Sequence, residues 1–131
     1  MNKRFKRWEY PLIEEGKLTQ YNWMIQNVEG LVLHKNTDIG AFTYINAKYG
    51  VTINEAVQIG SHCSIYSVST IDDNKGSVVL GKNSRIGTHS SIMPGVTIGR
   101  NSIIGAHSMV VHDIPPNSLA VGVPAKVIKT I

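Results

Sequence analysis

Aliphatic residues return every six positions along most of this 131-residue chain, and that period excludes more architectures than any other feature. The recurrence runs through Ile39 and Ile45, then Ile53, Ile59, Ile65 and Ile71, then Leu80, Ile86, Ile92, Ile98, Ile104 and Val110. A glycine often follows directly, as at Gly60, Gly87 and Gly105. Four places after the aliphatic sits a smaller residue, such as Thr43, Cys63, Ser69, Ser84, Ser90 or Ser108. A period of six fits neither a helix, at 3.6, nor a simple amphipathic strand, at 2. It fits short flat strands joined by sharp turns. The aliphatic and the small residue point inward, and glycine is expected to give permissive backbone at the bend. Three hexads make an 18-residue coil. Coils then stack as parallel strands about 4.8 Å apart, each burying its inner face only through its neighbours.

Two breaks in phase carry information. Two extra residues separate Ile45 from Ile53, and nine rather than six positions separate Ile71 from Leu80. Coils written as 53–70, 80–97 and 98–115 put both irregularities at one corner, so residues 71–79, "IDDNKGSVV", form an excursion there. Insertions on one corner of a solenoid often build a functional face, although a tolerated surface loop would look the same. The same register aligns "IGSHCS", "IGTHSS" and "IGAHSM". His62, His89 and His107 therefore stack as a column on three successive coils.

The chain reads as a single domain spanning 1–131. Residues 1–32 show no hexad and carry Trp8, Tyr10, Tyr21 and Trp23, as expected of a cap over an exposed solenoid end. Coils occupy 33–115. Residues 116–131 form a C-terminal segment after Pro115-Pro116 has stopped the repeat. The net charge of +4 suits an anionic small ligand. There is no Arg-rich run or interleaved basic and aromatic pattern beyond "NKRFKRW", so nucleic acid is not an expected partner. Cys63 is the lone cysteine, and no CxxC pair suggests zinc. No apolar run approaches about 18 residues, so no membrane span is expected and a cytoplasmic location is.

The stretches "IMPGVTIG" and "DIPPNSLAVGVPAKVI" give these repeats a family likeness. The chain resembles the hexapeptide-repeat acyltransferases over residues 33–129, and its tail is similar to the C-terminal segment of sugar and serine acetyltransferases. The resemblance implies an all-β fold, a left-handed parallel β-helix. The handedness comes from the likeness alone, because periodicity cannot give it and the usual crossover is right-handed. It further implies acetyl-CoA as donor, a homotrimer with active sites between subunits, and CoA contacts at Thr88, Gly105, Ala106 and Lys126. Small residues would let the pantetheine arm approach the backbone, and a lysine offers a point charge to a phosphate.

Acetyl transfer needs a base for the acceptor's proton and donors for the oxyanion. Histidine is the usual base. His62 and His89 are the candidates because they flank the excursion, whereas His107 lies toward the presumed CoA end. A histidine at a turn can also be simply solvated. Galactoside- and maltose-type O-acetyltransferases carry their catalytic histidine where this chain reads "SVSTIDDNKG", and no histidine stands there. The resemblance also extends to nucleotide-amino-sugar N-acetyltransferases that work without a protein base, because an amine is a better nucleophile and the substrate can assist. The departure therefore favours an amine acceptor and leaves either a histidine or the substrate as the base. Asp72 and Asp73 could hold sugar hydroxyls or an ammonium, or could serve a solvated turn. The expected activity is acetylation of a sugar, in particular the amine of a nucleotide-linked amino sugar for surface glycans, with sugar O-acetylation as the alternative. A γ-type carbonic anhydrase would use His89, His107 and His112 for zinc, but that family's accompanying polar motifs are missing and no metal is expected. An ice-binding or scaffold solenoid would show a uniform Thr array, and the columns here are mixed.

Overall fold

The computed structural model describes residues 3–131, and in it the hexads wind into a parallel β-helix with three faces. The first face stacks Met24–Gln26, Tyr44–Asn46, Ser64–Tyr66, Ser91–Ile92 and Met109–Val110. The second stacks Leu31–Leu33, Val51–Ile53, Val78–Leu80 and Thr97–Ile98. The third stacks Asp38–Ile39, Gln58–Ile59, Arg85–Ile86, Ile103–Ile104 and Ser118–Gly122 in parallel, and Ala125–Thr130 closes it antiparallel. Registers follow the hexads: Ile45 pairs with Ile65, Ile65 with Ile92, and Ile92 with Val110. Among the described residues no helix is long and apolar enough to cross a membrane.

Inside, the aliphatic ladder is dry. Ile45, Ile53, Ile65, Leu80, Ile92 and Ile98 have no exposed surface, and the ladder forms one core with Trp23 and Ile25. Burying each such side chain contributes about 1.5–3 kcal/mol relative to leaving it in water, which lets two-residue strands persist. Ile71 breaks the pattern and is 96% exposed. The excursion starts directly after Tyr66 rather than at residue 71. Val68–Ser69 pairs antiparallel with Asn74–Lys75 as a small hairpin, and Gly76 N–H closes it onto the Ser67 carbonyl at 2.9 Å. The spacing misled because a hairpin arm happens to put an isoleucine six places after Ile65. Ser69, expected inside, lies half-buried on that hairpin, and Ser67 is the buried residue instead.

The ladder also begins earlier than residue 33. Met24–Gln26 pairs with Tyr44–Asn46, and Leu31–Leu33 pairs with Val51–Ile53, so the N-terminal segment supplies two faces of a coil of its own. The hexad is disguised there because a short 3-10 turn, Val28–Gly30, rounds the corner. Glu15 ties the cap to that turn by accepting the N–H groups of Asn27 and Val28, both at 2.8 Å. These bonds hold its carboxyl below the ordinary carboxylate range, first through Val28 and then Asn27. The tie is therefore present above the ordinary carboxylate value and fades as pH falls through the lowered one.

Glycine's role in the repeat differs from the expected one. Gly60, Gly87 and Gly105 are not in the left-handed region; the residue two places on is, with φ of 59° at His62, 59° at His89 and 60° at His107. Asn83, Asn101 and Asn117 hold the equivalent place at the preceding corner, with φ of 61°, 62° and 58°. Asn and His are among the few residues that tolerate this region. The repeat glycines serve close approach: a Cβ on Gly87 would lie 2.5 Å from the Ala106 nitrogen.

The buried hydroxyls of the small columns mostly find partners. Ser90 Oγ donates to the Gly105 carbonyl at 3.1 Å, and Ser102 Oγ to the Pro115 carbonyl at 2.6 Å. Ser84 Oγ is buried without a partner. Val57 precedes it by one coil at the same register. Ser84→Ala removes an unsatisfied group and is expected to leave stability unchanged or raise it by about 1 kcal/mol. Thermal denaturation checks this, and a fall in Tm of several degrees would show that the hydroxyl is satisfied in solution.

Candidate active site

The histidine column forms at the corner between the third and first faces. Each coil there turns through glycine, a second residue, a residue in the left-handed region and a buried small residue. The backbone N–H of each histidine donates across coils: His62 to the Ala41 carbonyl, His89 to that of Ser61, and His107 to that of Thr88. Coil spacing is thereby transferred to the rings. His62 and His89 stack with centroids 4.8 Å apart and planes within 1°, and His89 and His107 stack at 4.8 Å and 11°. Phe42 continues the column above His62, at 5.4 Å. All three histidines are solvent-exposed.

Beneath the rings the corner is dry. Cys63, Ser90 and Ser108 are buried, and the Cys63 thiol donates to the Gly87 carbonyl at 3.2 Å. Burial pushes that thiol's pKa up, so Cys63 is a packing residue and not a nucleophile.

Around His89 lies a small polar cluster. Thr88 Oγ1 is 2.7 Å from the Ser61 carbonyl oxygen, 3.2 Å from Ser61 Oγ and 3.0 Å from His89 Nδ1. Among the described residues neither His62 nor His107 has a side-chain hydrogen bond. Sequence reasoning placed Thr88 in the site but missed Ser61. Its signal was available, as the residue preceding a column histidine in the coil before Thr88.

Along the first face, the other corner bears the hairpin. A cleft of about 330 Å³ opens there between the strand faces and the hairpin arm, lined by Tyr44, Asn46, Tyr66, Val68, Ser69, Thr70, Ile71 and Met93. Tyr44 and Tyr66 sit side by side with centroids 5.7 Å apart, and the Tyr44 hydroxyl is bonded to Gln26. The histidine column and this cleft border the same face: His62 precedes the strand Ser64–Tyr66, and Tyr66 lines the cleft. The tyrosines and Met93 carried no signal in the repeat, because their positions face outward and accept any residue.

Asp72 and Asp73 do not line the cleft. Both are exposed at the hairpin tip, where Asp72 Oδ1 accepts the Asn74 N–H at 3.3 Å and Asp73 takes φ of 54°. That is turn chemistry. The residues expected at CoA are linked in pairs through neighbouring strands and coils. Gly105 N–H bonds the Ala120 carbonyl, a Cβ on Gly105 would lie 2.5 Å from Val121 Cγ1, and Val121 pairs with Lys126. Thr88 lies one coil from Ala106 at the histidine corner. Lys126 is exposed on the C-terminal hairpin. Among the described residues no three His, Cys, Asp or Glu side chains are placed to hold one metal ion.

A second cleft of about 330 Å³ lies at the cap and includes Arg4, Arg7, Trp8, Tyr21, Trp23 and Asp38. Trp23 is buried, Trp8 donates its indole N–H to the Thr37 carbonyl at 2.7 Å, and Arg4 pairs with Asp38. The aromatics thus close the end of the solenoid, and no column histidine borders that cleft.

Comparison with known proteins adds to this geometry. Residues 77–112 match the family described as bacterial transferase hexapeptide (six repeats). Nodulation protein L of Rhizobium meliloti is 43% identical over 109 residues, which cover 70% of this chain and 58% of that protein. The chain spans between 30% and 58% of the length of the curated relatives it matches. Among solved structures, a variant of AntD, an N-acyltransferase from Bacillus cereus in complex with dTDP-4-amino-4,6-dideoxyglucose and coenzyme A, superposes with a TM-score of 0.59 and 26% identity, covering 83% of this chain and 70% of that one. A hexapeptide-repeat-containing acetyltransferase from Vibrio cholerae, complexed with acetyl coenzyme A, superposes with a TM-score of 0.76 at 24% identity, covering 82% and 64%.

Proposed function

We propose that this chain, a member of the hexapeptide-repeat transferase family, transfers an acetyl group from acetyl-CoA to the amine of a nucleotide-linked amino sugar. The observation that carries the reading is His89. It is exposed at the edge of the first face, with one ring nitrogen held by Thr88 and the other free to meet an acceptor. Acetyl-CoA supplies an activated acyl carbon. The protein's task is then to hold the donor beside the column, orient the acceptor and move one proton.

His89 Nε2 takes the proton that the acceptor nitrogen loses as the N–C bond forms. The C–S bond breaks, and the same proton returns from Nε2 to the departing thiolate, so the histidine ends as it began. Ala106, exposed and bearing only a methyl group, leaves room for the donor's arm at the C-terminal coil beside Gly105, whose open side Val121 fills, and Lys126 offers a charge to its phosphates. The cleft under the hairpin receives the acceptor. Tyr44 and Tyr66 give it an apolar wall, and Asn46, Ser69 and Thr70 give neutral hydrogen-bonding groups, which suit a sugar ring. The likeness to AntD, whose complex holds a nucleotide-linked amino sugar, supports an amine acceptor. We read the working form as a cytoplasmic homotrimer acting in surface-glycan synthesis.

The test is thiol release from acetyl-CoA in the presence of nucleotide-linked amino sugars, nucleotide-linked neutral sugars, plain sugars and serine. Release is expected only with the amino sugars. Release with hydroxyl acceptors alone would establish an O-acetyltransferase, and release with none of them would overturn the enzyme reading.

A further inference from the structure

The hydroxyl of Thr88 fixes more of the site than the proposed function uses, and its role rests on that function. A threonine hydroxyl carries one proton and two lone pairs. Thr88 Oγ1 has three neighbours: the Ser61 carbonyl oxygen at 2.7 Å, Ser61 Oγ at 3.2 Å and His89 Nδ1 at 3.0 Å. The carbonyl can only accept, and two oxygens at 2.7 Å without a hydrogen between them would repel. The Thr88 proton therefore belongs to the Ser61 carbonyl. That leaves Thr88 Oγ1 as an acceptor toward both other neighbours, with Ser61 Oγ donating one hydrogen and His89 Nδ1 the other. Every group in the cluster is then satisfied. The Ser61 carbonyl receives a second hydrogen from the backbone N–H of His89, at 3.1 Å, so the oxygen that orients Thr88 also anchors the coil bearing the histidine.

We infer that Thr88 and Ser61 are positioning residues that hold His89 with its proton on Nδ1, leaving the Nε2 lone pair for the acceptor. The arrangement serves both stages of the proton's path. The same Nδ1–H bond persists when Nε2 is protonated, so no hydroxyl must rotate during the reaction. The other two rings lack this device. Ala106, which precedes His107, has no hydroxyl, and the Ser61 hydroxyl, which precedes His62, is directed to Thr88. One histidine of three is thus prepared as a base. This distinguishes His89 from His62, which the sequence could not do. It also gives Thr88 a duty other than the CoA contact that family resemblance implies for it.

The experiment combines nitrogen-15 NMR of the histidine rings with steady-state kinetics on the whole chain, at a pH where the imidazoles are neutral. In the wild type His89 is expected to report the Nδ1–H tautomer. Thr88→Val, close in shape but unable to accept, should shift it toward Nε2–H and lower kcat about tenfold or more, because the lone pair then points away from the acceptor. KM for acetyl-CoA should change little. Thr88→Ser restores the oxygen, so it should return the tautomer and recover most of the lost rate. An Nε2–H tautomer in the wild type, or no shift in Thr88→Val, overturns the inference. A raised KM for acetyl-CoA with kcat and tautomer intact also overturns it and makes Thr88 a donor contact. A shifted tautomer with kcat unchanged leaves the ring geometry standing but overturns the role of His89 as base.

Discussion

His89→Asn is expected to lower turnover about 100-fold or more while leaving the melting temperature close to that of the wild type. Asparagine is the informative replacement because of the backbone. His89 has φ of 59°, and Asn83, Asn101 and Asn117 occupy the equivalent turn place one corner earlier at 61°, 62° and 58°. The variant therefore keeps a residue suited to the left-handed region and loses the ring. Alanine would add a conformational cost of about 1 kcal/mol to the chemical one and blur the result. His62→Asn and His107→Asn serve as internal comparisons. Each removes a stacked ring at 4.8 Å but not a ring with its Nδ1 engaged, so each should cost far less than His89→Asn. Steady-state rates with the amino-sugar acceptor decide the matter. Equal losses at all three positions would make the column a packing feature, and near wild-type rates at all three would mean that the acceptor supplies its own base.

The column itself was legible in the sequence because its spacing is the coil. Once "IGSHCS", "IGTHSS" and "IGAHSM" are aligned through the excursion, stacking follows without coordinates. What spacing could not separate was a turn from a site. Histidine satisfies the left-handed place in the corner as asparagine does at the preceding one, so part of the reason for three histidines is backbone geometry. The functional distinction among them comes from side-chain hydroxyls at residues 61 and 88, and a hydroxyl's direction has no period to read. Elsewhere the period misled where it held by accident. Ile71 kept phase while lying on a hairpin arm, and the coil at Met24–Gln26 lost phase while keeping its ladder. The cleft under the hairpin was hidden for a related reason. Its walls come from outward-facing positions, whose residues the repeat leaves free. The excursion expected at 71–79 stands in the structure as the hairpin Val68–Ser69 with Asn74–Lys75, one wall of that cleft.

Gly87→Ala is expected to destabilise the fold by about 3 kcal/mol, the upper part of the range for overpacked sites. For a chain of this size that corresponds to a fall in Tm of roughly 10 °C. A new Cβ would meet Ala106 N at 2.5 Å, Ala106 Cα at 2.8 Å and Gly105 C at 2.9 Å. These are backbone atoms of the next coil, held in register by the bond from Gly87 N–H to the Ile104 carbonyl at 2.8 Å. No side chain can rotate away, so relief requires the coils to separate. Gly95→Ala makes the contrast. Gly95 has φ of +82° and nothing within 4 Å of a new Cβ, so its cost is conformational alone, about 1 kcal/mol. If the two variants melted together, the repeat glycine would be serving backbone freedom after all, as the sequence suggested. A larger loss at Gly87 would assign it to coil spacing. That spacing also sets the distance between the His89 and His107 rings, because Gly87 and Gly105 each stand two residues before a column histidine. Wherever Gly87→Ala remains folded, the separated coils should weaken the ring stack. The Thr88 cluster, built across the junction with the preceding coil, should then survive better than the His89–His107 contact.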